Sequence, residues 1–179
     1  MDQKVANYSR GAQLLHWSNA LLIFIMWPLG MIMVRSESIE TKTTLYQIHV
    51  AIGLLVLVLT LIRTVWRFTV VRPAILPKLT SVQRRTVMIV HVLQYVALLV
   101  LTFSGVGLML ASGFGLSITA VSPQLIADVP ATTMHHITSR IFAILIVMHI
   151  GGVLRYQFSK GDTFGRMNLH TSIGRGRDE

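Results

Sequence analysis

Four long apolar runs dominate this chain, roughly Leu14–Val34, Tyr46–Val65, Val87–Ala111 and Thr138–Leu154. Each is about 17–25 residues, the length a helix needs to cross about 30 Å of hydrocarbon. In lipid the backbone must satisfy its own hydrogen bonds, and the runs show no strand-like alternation. The expected fold class is therefore an all-α membrane protein, a four-transmembrane-helix bundle. Its helices should span about 12–34, 45–67, 86–111 and 132–157. Composition agrees, since 53% of the 179 residues are hydrophobic and 13% charged, against about 25% charged in soluble domains. Residues 1–160 read as one bundle domain and 161–179 as a polar, glycine-punctuated tail. The first run is longer than a signal-peptide core, and "MIMVRSES" offers no small-x-small cleavage pattern after it, so it reads as a retained helix.

The net charge of +9 would suit a nucleic-acid partner, but its distribution points to topology instead. Lys4 and Arg10 precede the first run; Arg63, Arg67, Arg72, Lys78, Arg84 and Arg85 surround the second connection; Arg155, Lys160, Arg166, Arg175 and Arg177 follow the fourth run. The first connection has only Arg35 and Lys42, offset by Glu37 and Glu40, and residues 112–131 contain no Lys or Arg. Basic residues thus alternate by side, as the positive-inside rule requires for four helices with both termini cytoplasmic. Within 112–131, "AVSPQLIADVPATT" has room for a short surface helix ended by Pro130.

The chain has no cysteine. Disulfides, iron–sulfur clusters and thioether-linked haem are excluded, so any redox cofactor must be held by histidine or methionine, or without ligation. Six of the seven histidines, His16, His49, His91, His135, His136 and His149, lie in or at the ends of the apolar runs. Ionisable groups at such depth are costly and usually face the bundle interior. His16 and His149 fall at cytoplasmic depth, and His49 falls at outer depth with His135 or His136. Helical phase separates the doublet. Fourteen residues turn through about 1400°, about 40° short of four full turns, so His135 and His149 share a face about 21 Å apart. His136 lies nearly opposite His149. One helix then offers an imidazole to each layer, and helices 1 and 2 supply the partners. Facing imidazoles are what a six-coordinate b-type haem needs, and the pattern predicts two haem b groups stacked across the membrane.

Arg63 and Arg67 lie fourteen and eighteen residues after His49, on its face of helix 2 at cytoplasmic depth. They are either propionate partners of the inner haem or anchors that snorkel to the surface. His91 is a polar core residue, a group beside the inner haem or part of a quinone headgroup site. Arg140 reaches outer propionates or snorkels; His136 is a group beside the outer haem or an exposed residue. Met88, Met134 and Met148 could ligate haem, but methionine in such segments more often packs.

The residues resemble the bacterial cytochrome b561 family, small stand-alone di-haem proteins of the inner membrane. The resemblance runs from about Tyr8 to Met167 and rests on "YSRGAQLLHW", "IHVAIGLLVLVLTLIRTVWR" with "RPAILPK", "HVLQY", "GVGLM", the fourteen-residue His–His spacing and "KGDTFGRM". It implies ligation by His16 and His149 at the cytoplasmic haem and by His49 and His135 at the periplasmic one. It also implies electron transfer between a periplasmic donor and membrane quinone. One branch of the family oxidises superoxide to O2 and reduces ubiquinone. His136, where the family pattern has an acidic residue, and Arg140 depart from it, and the outer loops are poor in the Lys and Arg that would steer an anion.

The expected function is transmembrane electron transfer from a small periplasmic reductant, such as superoxide, to ubiquinone near Arg10, His91 and the end of helix 4. The expected partners are the bilayer and quinone, with no nucleic acid. Two alternatives use the same residues: a cytochrome b anchor subunit of a hydrogenase- or dehydrogenase-type complex, and a haem-free proton or metal transporter.

Overall fold

The computed structural model describes residues 8–70, 79–126, 129–159, 161 and 163–167. Four α-helices carry nearly all of it: α1 Arg10–Arg35, α2 Ile39–Thr69, α3 Ser81–Ala111 and α4 Pro130–Ser159. All four are long and apolar enough to cross a membrane. They extend beyond the apolar runs because polar caps, not hydrophobicity, end them. Ser9 and Ser38 accept from the backbone N–H groups of Ala12 and Thr41. Thr80 and Gln83 form a reciprocal capping box at the start of α3. Each satisfies donors that the first turn leaves unpaired. Ser38 has the largest effect, starting α2 at Ile39 rather than near residue 45.

α1 packs on α2, α3 on α4, and α2 joins the two hairpins through α3. Midway along the bundle Val56 of α2, Ala97 and Leu98 of α3, and Phe142 and Leu145 of α4 form the apolar core. Gln94 of α3 ties in α4 by donating to the Leu145 carbonyl at 3.4 Å. Facing outward, Phe24, Ile144 and Val147 are exposed, as side chains that meet lipid tails should be.

The two ends of the bundle are closed differently. At the α1–α2 turn end, the segment after α3 folds back over α2. Gln47 donates to the carbonyls of Thr119 and Val121, while Met109, Phe114 and Val121 pack with Tyr46 and Val50. The expected surface helix there is a single 3-10 turn, Pro123–Leu125. At the end where α1 begins, Thr163–Met167 folds onto the bundle, although this region reads as tail in the sequence. Gln157 of α4 accepts from the Thr163 N–H at 2.8 Å, the Thr163 hydroxyl at 2.9 Å and the Phe164 N–H at 3.1 Å. Gln13 donates to the Tyr8 and Arg166 carbonyls, and Trp17 to the Met167 carbonyl at 2.9 Å. Hydrogen bonds to side chains of α1 and α4 hold this polar strap, a contact hydropathy does not register. Residues 168–179, with His170, lie outside the described residues, as do Lys4, Arg72, Lys78 and Lys160.

Each strap bond contributes about 1 kcal/mol net. Gln157→Leu removes the shared acceptor, so amide exchange at Thr163 and Phe164 should quicken by about tenfold. Hydrogen-exchange mass spectrometry reads this directly, and protection within α4 should not change.

Candidate functional site

Five histidines converge into two layers, one in each half of the bundle. At the α1–α2 turn end, His49 of α2 and His135 of α4 bring their ring centroids to 6.2 Å with the planes 69° apart. Towards the other end, His16 of α1 and His149 of α4 stand at 6.3 Å and 72°. Two imidazoles sharing one metal ion each need a bond of about 2 Å and about 1 Å more to the ring centre, so their centroids lie about 6 Å apart. Both pairs meet that spacing. Phe142 lies seven residues from each of the two α4 histidines, so the apolar core separates the layers.

The ring nitrogens carry further information. His135 Nδ1 lies 3.0 Å from the Leu101 carbonyl and 3.2 Å from the Ser104 hydroxyl oxygen. A carbonyl can only accept, so Nδ1 carries the proton and Nε2 keeps its lone pair free for a metal. His16 and His49 have buried Nδ1 atoms with no hydrogen-bond partner, so neither ring is tied to a neighbouring helix through that atom. Spacing, tautomer and unpartnered nitrogens together fit a bis-imidazole metal group in each layer.

Glycines on the neighbouring helices seat both rings of the His49–His135 layer. A Cβ at Gly30 of α1 would lie 3.7 Å from His49 Cε1. At Gly105 of α3 it would lie 3.3 Å from His135 Cε1 and 3.5 Å from its Nδ1. All four helices therefore build this layer. They also build the other, where His91 of α3 donates from Nδ1 to the Val87 carbonyl at 2.6 Å and meets the His149 ring at 5.1 Å. That spacing is ring contact, too short for two ligands of one ion. Arg63 and Arg67 of α2 stack on Tyr95 of α3, their guanidinium carbons 5.3 and 5.4 Å from the ring centroid.

The remaining sequence candidates lie apart from both layers. His136 and Arg140 are exposed on α4, and His136 stays near the His135 ring only as its chain neighbour. Arg10 is exposed at the start of α1. Met88, Met134 and Met148 are exposed.

Sequence reasoning gave no site role to Gly30, nor to Gly105 and Tyr95, which lie in the quoted "GVGLM" and "HVLQY". Tyr95 had a signal, for it lies one turn after His91 and so shares its face. Also missed are three side chains with essentially no exposure, Gln13, Asn19 and Thr60. Gln13 Oε1, both amide atoms of Asn19 and the Thr60 hydroxyl are buried without partners.

The chain matches the prokaryotic cytochrome b561 family profile over residues 7–168. It is also similar to cytochrome b561 homolog 2 of Escherichia coli (strain K12), with 27% identity over 161 residues that cover 85% of this chain and 86% of that protein.

A buried hydroxyl without a partner costs roughly 1–3 kcal/mol. Thr60→Val keeps the shape and removes that cost, so it should raise the thermal unfolding midpoint of the detergent-solubilised protein. A lowered midpoint would mean that the hydroxyl is engaged by a bound group.

Proposed function

The chain belongs to the prokaryotic cytochrome b561 family, an integral membrane protein that moves electrons through b-type haem, and from that premise we propose a two-haem path across the bilayer. The observation that carries it is the pair of His–His spacings, 6.2 and 6.3 Å, one in each half of the bundle. His49 and His135 hold the outer haem, and His16 and His149 the inner one. When bound, haem b supplies reversible one-electron storage at its iron. The protein orients the four imidazoles, places apolar side chains between the layers and excludes water from them.

Lys and Arg alternation supports the orientation, with both termini on the cytoplasmic side of the bacterial inner membrane. The His16–His149 layer is then the inner one, and Arg63 and Arg67 serve its propionates by charge-assisted hydrogen bonds. Ubiquinone accepts electrons on this side. His91 faces the inner layer with its Nδ1 proton held by Val87, which leaves Nε2 to receive a hydrogen bond or exchange a proton. Arg10, exposed at the start of α1, marks the membrane surface at this end. The donor is a small periplasmic reductant. If it is superoxide, two superoxide ions give two O2, and the two electrons with two protons convert quinone to quinol.

A reduced-minus-oxidised optical spectrum with haem quantitation tests the first step, and two b haems per chain are expected. His135→Ala should lose the outer haem and His149→Ala the inner one, while His136→Ala retains both. Absence of b-haem bands overturns the proposal. Stopped-flow mixing with superoxide and a quinone analogue tests the donor. Haems that stay oxidised would move the assignment to an electron-carrying subunit of a larger dehydrogenase.

A further inference from the structure

The two histidine layers differ in what stands behind their rings. In the outer layer His135 Nδ1 donates to the Leu101 carbonyl at 3.0 Å, and the Ser104 hydroxyl donates to the same oxygen at 2.8 Å. The ring reaches this carbonyl because position 105 has no side chain. A Cβ there would approach Cε1 to 3.3 Å and Nδ1 to 3.5 Å, and the ring would have to shift by a few tenths of an ångström. The facing ligand His49 has no partner at Nδ1, and neither does His16 in the inner layer.

In the inner layer the distinguishing feature is charge. Arg63 is six residues from the end of α2 and His16 six from the start of α1, so both lie about 9 Å from the same end of the bundle. The Arg63 and Arg67 guanidinium groups both lie over the Tyr95 ring. The described residues give the outer layer no matching pair of interior cations; Arg140 there is exposed.

Each difference has an electrochemical consequence of known sign. An imidazole that donates its second N–H to a carbonyl becomes a more basic ligand and favours the oxidised metal. A nearby cation favours the reduced state, because reduction adds one negative charge to the site. The first effect lowers the potential of the outer layer and the second raises that of the inner layer. We propose that the Leu101–Ser104–Gly105 seat under His135 and the Arg63–Arg67 pair on Tyr95 make the outer haem the low-potential member and the inner haem the high-potential one. The protein scaffold itself then drives electrons inward. Each transfer oxidises the outer site by one electron and reduces the inner site by one, with no proton required. Gly105 and Arg63 act here as positioning residues, since neither ligates the metal.

The inference rests on the two-haem reading, and potentiometric titration of the purified di-haem protein separates the two. The wild type should titrate in two one-electron steps, and the step that survives in His149→Ala should be the lower. Gly105→Ala should weaken the His135–Leu101 bond and raise the lower step by about tenfold in its reduction equilibrium, equivalent to about 59 mV for one electron, with the upper step unmoved. Arg63→Gln should lower the upper step by a similar factor and leave the lower one in place. A shift of the upper step in Gly105→Ala, no shift in either variant, or survival of the upper step in His149→Ala overturns the inference. If Gly105→Ala does not accumulate, Arg63→Gln decides: movement of the lower step overturns it, and movement of the upper one supports it. Fewer than two haems in the wild type would instead overturn the two-haem reading.

Discussion

The fourteen residues between His135 and His149 set the constraint that organises this bundle. A single straight helix can offer imidazoles to two sites in one interior only if its phase returns after whole turns, and fourteen residues bring it back within about 40°. Once α4 serves both layers, the other helices must meet it at two depths. α1 does so through His16 and α2 through His49. α3 supplies neither ring of the two facing pairs, but it carries the surfaces beside them, Leu101, Ser104 and Gly105 in one layer and His91 and Tyr95 in the other. Phe142, midway along the same face, keeps the two layers apart.

Polar groups inside a membrane bundle are expensive, and here they are concentrated where they have work. Deep apolar positions are filled by Val56, Leu98, Phe142 and Leu145, which need no partners. The polar groups gather around the histidine layers and at the bundle ends, where Gln47 anchors one connection and Gln13, Trp17 and Gln157 anchor the strap. Asn19 and Thr60 are exceptions, buried with polar atoms unpaired. The two layers also differ in kind: glycine seats bring backbone close to the rings of one, and cations stacked on an aromatic surround the other. The proposed inward electron path benefits from such asymmetry more than from two identical sites.

Much of this arrangement is legible in the chain because lipid imposes simple rules. Span number follows from the apolar runs, and the choice of His135 over His136 follows from helical phase; in the structure the His135 ring lies 6.2 Å from that of His49, and His136 is exposed. The face shared by His49, Arg63 and Arg67 is likewise a matter of turns. What hydropathy hides is polar and local. Ser38 extends α2 well outside the hydrocarbon-length run, and the strap at Thr163–Met167 reads as tail because its affinity for the bundle resides in hydrogen bonds. Glycines such as Gly30 and Gly105 leave no periodic trace, since their contribution is the absence of a side chain opposite a ring on another helix.

The sequence by itself determined that the chain is helical and fit to span a membrane, and which histidine of each helix could share an interior with the others. Those properties depend on one helix at a time, through backbone satisfaction, length and phase. Only the tertiary structure decided which rings face each other and at what spacing, that Leu101 holds the His135 proton, and that Tyr95 carries both arginines. Each of these depends on the rotation and approach of two helices, which side-chain packing sets across residues far apart in the chain.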